Sequence, residues 1–180
     1  MRLVSKIDSS VNFVEESLQG FLESRYVRKC EDYFICYLSS NENCDRGCKF
    51  CFLTAMKQTK SLDALPVDFL SQASKVLKHY NKIEEPAKYV HFNFMARGEP
   101  LHNKNIVNNA DQILYDLGKL ATSFDNNLGV KFNISTIMPR DLNKKLKDIF
   151  KIIHPTIYYS MYSTNPEFLK KWMPNAMDVY

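Results

Sequence analysis

The chain has 180 residues, 45% of them hydrophobic and 13% aromatic, which suits one domain with a real core and excludes a low-complexity chain. Its net charge of +4, from 24 basic and 20 acidic residues, permits a nucleic-acid partner without requiring one. No apolar run approaches the ~20 residues that span a bilayer, and the N-terminus lacks the apolar stretch of a signal peptide, so we expect a cytoplasmic protein.

Residues 1–39 are predicted to form a small strand-rich N-terminal segment. Phe21–Val27 alternates loosely between apolar and polar residues, and Tyr33–Leu38 is rich in strand formers, with a mostly polar stretch between them. This pattern predicts a β-hairpin. For the earlier stretch, residues 11–22, a short helix is the alternative.

From residue 40 onward the sequence predicts helices alternating with strands. A cysteine-rich loop (residues 41–59) is followed by a helix around 69–80, a strand at 89–95, a helix around 106–117, a strand at 130–136, a helix around 142–150, a strand at 157–162 and a short helix at 166–172. Such alternation is typical of an α/β fold with a parallel sheet, here an incomplete βα barrel of about four units over residues 40–180. Ligands of such folds bind where the strands end.

The most informative motif is a short loop that carries three of the five cysteines with the spacing C-x3-C-x-aromatic-C: Cys44, Cys48 and Cys51. Three thiolates can hold three corners of a cubane iron–sulfur cluster and leave the fourth iron open for a small molecule. Gly47 allows a tight turn, and Phe50 can shield the cluster from water. A structural zinc site, closed by Cys30, Cys36 or a distant His, and simple buried thiols are the alternatives.

This cysteine loop resembles the signature of the radical S-adenosylmethionine (SAM) superfamily. The resemblance implies a [4Fe-4S] cluster on Cys44, Cys48 and Cys51, with SAM bound to the open iron through its amino and carboxylate groups. It also implies a protein that donates the electron for SAM cleavage.

Four further stretches are similar to the radical SAM methyltransferases that methylate adenine carbons in ribosomal and transfer RNA, the dual-specificity RNA methyltransferase family. They are Cys36-Tyr37-Leu38-Ser39-Ser40, the loop from Phe94 to Asn103 with its Gly98-Glu99-Pro100 core, the strand end Ile134-Ser135-Thr136, and Ser160-Met161-Tyr162 with the later Met173-Pro174-Asn175. Cys36 lies one residue farther from the first cluster cysteine than its counterpart in that family.

The resemblance assigns roles to eight residues outside the cysteine loop. Gly98 and Glu99 are expected to contact the SAM amino group, while Ser135, Ser160, Met161 and Tyr162 line its ribose, adenine or carboxylate. Cys36 aligns with the cysteine that resolves the protein–RNA adduct, and Glu23 with a proton acceptor. The structural alternatives are a strand-end cap for Ser135, a solvated carboxylate for Glu99, a small core residue for Cys36 and an exposed strand carboxylate for Glu23.

The chain also departs from that family. Tyr162 stands where the family has His, and Ala96-Arg97 where it has Gly-Met. The family's N-terminal RNA-binding domain, its last two βα units and its methyl-carrying cysteine have no counterpart, so we expect a truncated or split enzyme that a second chain completes. The leading hypothesis is an RNA adenine methyltransferase; the alternatives are a radical SAM protein that no longer methylates RNA and a zinc-stabilised RNA-binding module.

Overall fold

The structure, a computed structural model, describes residues 1–81 and 85–178. Its strands form a single sheet in which each strand pairs with the next one in the sequence. They are β1 (Arg2–Val4), β2 (Val11–Glu16), β3 (Phe21–Arg28), β4 (Tyr33–Leu38), β5 (Tyr89–Phe94), β6 (Gly129–Thr136) and β7 (Thr156–Tyr159). Pairing is antiparallel from β1 to β4 and parallel from β4 to β7.

The predicted N-terminal hairpin is confirmed as β3 and β4, which pair with Tyr26 opposite Cys36. The alternative helix over residues 11–22 is wrong, because Val11–Glu16 pairs along its whole length with β3. Leu18, which a helix would have buried, is 89% exposed in the turn between the two strands. Cross-strand pairing therefore outweighs the weak helical spacing of this stretch.

Each parallel strand is followed by a helix, which confirms the predicted α/β architecture of four βα units. The helices are α1 (Phe52–Ala55), α2 (Pro66–Tyr80), α3 (Lys104–Phe124), α4 (Leu146–Ile149) and α5 (Pro166–Trp172), with a 3-10 helix at Pro100–His102. The predicted strand at 157–162 ends at Tyr159, so Ser160, Met161 and Tyr162 lie in the loop that follows β7.

The core lies between the sheet and the long helices α2 and α3. Alternate residues of β4 and β5, among them Phe34, Leu38, Phe92 and Phe94, are almost fully buried against the apolar faces of these helices. This packing covers one face of the sheet. Because β4 to β7 run parallel, the loops that follow them lie at the same edge of the sheet. None of the helices among residues 1–81 and 85–178 is long and apolar enough to cross a membrane.

Candidate functional site

The loops that follow the parallel strands surround a cavity of about 510 Å³. Its walls include the three loop cysteines and six of the other residues with predicted roles: Cys44, Cys48, Cys51, Glu23, Gly98, Glu99, Ser135, Ser160 and Tyr162. Four different βα connections contribute, together with Glu23 on β3. Residues up to 139 positions apart in the sequence therefore face the same space, counting from Glu23 to Tyr162 (162 minus 23).

The cysteine loop makes a tight turn and packs against the segment around α5. Gly47 has a φ of +70°, a conformation that residues with a Cβ rarely adopt. Cys48 packs with Ile137, Leu169 and Met173 in a small apolar cluster. Burial raises the pKa of Cys44 to about 12 and that of Cys48 to about 11. Without a metal these thiols are therefore protonated at neutral pH. Binding of a metal by the thiolates would release their protons.

Three thiols are the candidate metal ligands of the cavity. Within the described part of the chain, no three His, Cys, Asp or Glu side chains form a group that could hold one metal ion. The three thiols nevertheless line one cavity and lie close enough that Cys48 and Cys51 influence the pKa of Cys44. Three thiolates can hold three corners of a cubane cluster and leave its fourth iron open.

Glu99 is the buried carboxylate of the cavity, with 5% of its surface exposed. Oε1 accepts hydrogen bonds from Thr136 Oγ1 (2.5 Å) and the Leu101 amide (3.1 Å), and Oε2 accepts one from the Ile137 amide (3.0 Å). Burial outweighs these donors and raises the pKa of Glu99. One acceptor position remains free on Oε2. A cationic ligand bound there would stabilise the ionised form of this buried carboxylate.

Gly98 lets the backbone of the Glu99 loop approach the start of the cysteine loop. Its φ is +91°, and a Cβ added there would lie 2.7 Å from the Asn41 backbone nitrogen. The Asn41 side chain accepts a hydrogen bond from the Glu99 amide at 3.2 Å. A larger residue at this position would displace the two loops from each other.

The serines after β6 and β7 face the cavity as a pair. Ser135 Oγ and Ser160 Oγ lie 3.3 Å apart, and Tyr162 packs against Phe50 with ring centroids separated by 4.4 Å. These hydroxyls and rings could hold a ribose and a base. Met161 does not line the cavity; it follows Ser160 with its side chain 46% exposed.

Glu23 and Cys36 lie in very different surroundings. Glu23 lines the cavity from β3, where Oε1 accepts a hydrogen bond from Asn12 (2.9 Å) and Oε2 lies 3.8 Å from Arg97. Cys36 has no exposed surface and belongs to the core between sheet and helices, and burial raises the pKa of its thiol well above the usual value. Its surroundings match the alternative of a small core residue.

The one-residue difference noted for Cys36 has a geometric meaning. Side chains alternate between the faces of a strand, so a shift of one residue moves a side chain to the opposite face. Tyr37, the next residue along β4, points away from the core and lines a smaller cavity that shares Glu23, Met95 and Ala96 with the main one. A phenol ring thus occupies the face of β4 opposite to that of Cys36.

A polar cluster beside the cysteines was not predicted from the sequence. The Arg46 guanidinium donates to Asp45 Oδ1 (2.9 Å) and Asp141 Oδ1 (2.8 Å) and lies 3.1 Å from His102 Nε2. Two residues of this cluster belong to motifs described from the sequence. Arg46 lies between two cysteines of the cysteine loop, and His102 follows Glu99-Pro100 in the loop after β5. No local spacing links them to Asp141, which is 95 residues from Arg46.

The fold is that of a radical SAM methyltransferase. A crystal structure of such an enzyme from Sphaerobacter thermophilus matches 97% of the chain with a TM-score of 0.69, at 15% sequence identity. In sequence, the chain is similar to the dual-specificity RNA methyltransferase RlmN of Bdellovibrio bacteriovorus, with 27% identity over 104 residues, or 58% of the chain. These matches span 49% of the solved structure and 25% of RlmN. No protein-family model matches the chain.

Proposed function

We propose that this chain is a radical SAM enzyme that holds a [4Fe-4S] cluster on Cys44, Cys48 and Cys51 and binds SAM in the adjoining cavity. The observation that carries the proposal is that one cavity brings the three thiols together with the buried carboxylate of Glu99. The fold of a radical SAM methyltransferase and the sequence similarity to RlmN support it. When bound, the cluster would supply the electron that cleaves SAM to methionine and a deoxyadenosyl radical.

The residues of the chain would orient SAM in this cavity. Glu99 would accept a hydrogen bond from the ammonium group at the free position on Oε2, a charge-assisted contact in a water-poor site. Ser135 and Ser160 would bind ribose hydroxyls or the carboxylate, and Phe50 with Tyr162 would cover the adenine ring. Gly98, which also lines the cavity, would hold the Glu99 loop close to Asn41 and so place the carboxylate beside the ligand.

The proposed reaction is methyl transfer to RNA adenine, with an electron-donor protein and a ribosomal or transfer RNA as partners. The similarity to RlmN supports this substrate class. A radical SAM reaction without RNA methylation is the second candidate, and the location of Cys36 favours it: the thiol lies in the core instead of the cavity. A second chain that completes the enzyme remains part of the first candidate.

The cluster and SAM cleavage can be tested together. Anaerobic reconstitution should give brown protein with broad absorption near ~400 nm and about four irons per chain, and dithionite with SAM should release 5′-deoxyadenosine. SAM should also change the electron paramagnetic resonance spectrum of the reduced cluster. The matched variants are Cys44→Ala, Cys48→Ala and Cys51→Ala, with Cys30→Ala as the control, since Cys30 is exposed and lies outside the loop. Equal iron and sulfide in the triple variant and in wild type would refute the proposal.

A further inference from the structure

We propose that His102 is a positioning residue that fastens the cysteine loop to the loop that carries Glu99. The proposal concerns the metal-free chain, and its consequence for SAM rests on the proposed function above. It starts from four side chains that belong to three different loops: Asp45 and Arg46 in the cysteine loop, His102 in the 3-10 helix after β5, and Asp141 in the loop after β6.

The imidazole of His102 lies between two carboxylates and a guanidinium. Its Nδ1 is 3.5 Å from Asp141 Oδ2, and its Nε2 is 3.4 Å from Asp45 Oδ2 and 3.1 Å from the Arg46 guanidinium. In the tautomer protonated on Nδ1, Nε2 accepts a hydrogen bond from Arg46, and the Nδ1–H faces the Asp141 carboxylate. His102 thereby closes a ring of contacts that Arg46 alone leaves open.

Burial makes this ring costly to break. The Arg46 side chain is only 9% exposed, and a buried guanidinium has to keep its donors paired. Asp45 and Asp141, which bind the other two nitrogens, are 40% and 57% exposed, so water reaches one side of the ring. The His102 side chain is 24% exposed and so shields Arg46 from water more than either carboxylate does.

The ring sits between the two halves of the site. Arg46 lies between Cys44 and Cys48, and its backbone carbonyl also accepts a hydrogen bond from Asn175 Nδ2 at 3.0 Å. His102 lies three residues after Glu99, in a helical turn where the His102 amide donates to the Glu99 carbonyl at 3.0 Å. A shift of the imidazole would therefore change the separation between the cysteines and the Glu99 carboxylate.

The test compares His102→Ala with His102→Gln, which keeps one donor and one acceptor, and with Lys104→Ala, an exposed neighbour, as the control. In metal-free protein, amide hydrogen exchange of residues 44–51 should rise about tenfold in His102→Ala, return towards wild type in His102→Gln and stay unchanged in Lys104→Ala. In reconstituted protein, the SAM dissociation constant should rise about tenfold in His102→Ala at unchanged iron content.

Two results would overturn the proposal: unchanged exchange of the cysteine loop in His102→Ala, or a His102→Gln variant that behaves like His102→Ala. Increased exchange throughout the sheet would also overturn it, because His102 would then stabilise the fold as a whole. If wild-type protein takes up no iron, the proposed function fails, while the exchange experiment still decides whether His102 positions the loop.

Discussion

The Glu99 carboxylate is deeply buried, and one of its acceptor positions has no hydrogen-bond donor from the described residues. Three donors within the protein occupy its carboxylate, and none of them is a charged side chain. No ion pair links Glu99 to a basic residue in the described parts of the chain. Because burial raises the pKa of Glu99, a cationic ligand in the cavity would stabilise the ionised form of this carboxylate.

Replacing Glu99 by Gln should weaken SAM binding by about 1–3 kcal/mol, the scale for losing a charged hydrogen bond. The amide keeps the shape of the side chain but removes the charge that attracts the ammonium group. Isothermal titration of reconstituted protein measures the affinity, with Glu167→Gln as the control because Glu167 is an exposed residue at the start of α5. Affinity within twofold of wild type would remove Glu99 from the site.

Cys36 is expected to matter for packing only. Cys36→Ser places a hydroxyl in the core without an available partner and should lower the free energy of unfolding by about 1–3 kcal/mol. Cys36→Ala removes only the sulfur and should cost about 1 kcal/mol. Denaturant unfolding measures both.

Both Cys36 variants should keep the iron content and the rate of deoxyadenosine formation, since the side chain faces the helices. If Cys36→Ala protein folded with normal stability but cleaved no SAM, the prediction would be wrong and the Cys36 thiol would have a chemical role.

At the scale of the elements, α3 supports the segment that leads into β7. Asp111 on α3 accepts hydrogen bonds from the backbone amides of Lys151, Ile152 and Ile153, at 3.1, 3.0 and 2.9 Å. Burial alone would raise the pKa of Asp111, but these donors and nearby His154 outweigh it and hold the pKa below its usual value. One carboxylate thus caps three amides ahead of β7, the strand that leads to Ser160.

Asp111→Asn should destabilise the chain by about 1 kcal/mol at neutral pH, because the amide nitrogen cannot accept the bond from Lys151. The pKa of Asp111 is lowered in the folded state, so its contribution is present above the unfolded pKa of about 3.9 and is lost as the pH falls through the folded value. The difference between wild type and variant should accordingly shrink below about pH 4. Thermal unfolding from pH 3 to pH 7 checks this, and a constant difference across that range would contradict it.

Elements defined by local signals could be predicted from the sequence. Helix α5 matches its predicted span because Asn165 caps it, accepting from the Glu167 amide at 2.9 Å, and Pro166 begins it. The predicted helix around 142–150 contracts to Leu146–Ile149, although Ile149 and Phe150 are buried as its spacing indicated. Pro139 and Leu142 form a turn there, so burial was predicted correctly and helix length was not.

Features that depend on distant contacts could not be predicted. The face on which Cys36 lies is decided by the pairing of β4 with β3 and β5, and a motif comparison with a one-residue offset cannot show it. The ring around Arg46 joins residues 56 and 95 positions apart. The cysteine loop could be predicted because its three cysteines are close together in the sequence.

At the scale of the whole molecule, the positions of all five cysteines bear on the proposed reaction. The three loop cysteines line the cavity, Cys36 is in the core, and Cys30 is exposed in the turn between β3 and β4. Cys30 borders a different cavity, formed by the N-terminal strands and α2. Within these residues, the cavity therefore offers no thiol beyond the proposed cluster ligands.

We predict that the 180-residue chain alone cleaves SAM but transfers no methyl group to RNA adenine. A methyl carrier has to lie within a few ångströms of the radical, and neither Cys30 nor Cys36 faces the cavity. The assay combines anaerobic reconstituted protein, reductant, methyl-labelled SAM and unmodified ribosomal or transfer RNA. Deoxyadenosine is the positive control, and label in adenine at the same yield would contradict the prediction.

The pairing order of the sheet has a consequence for how the chain folds. The strands up to β4 pair across short turns, whereas Cys36 on β4 pairs with Phe92 on β5, 56 residues later (92 minus 36). Short loops close at a lower entropic cost than long ones. We therefore expect the antiparallel strands to form first and β4 to serve as the template on which β5 and then the rest of the parallel sheet assemble. Pulse-labelled hydrogen exchange during refolding would detect this order, and simultaneous protection of β3 and β6 would exclude it.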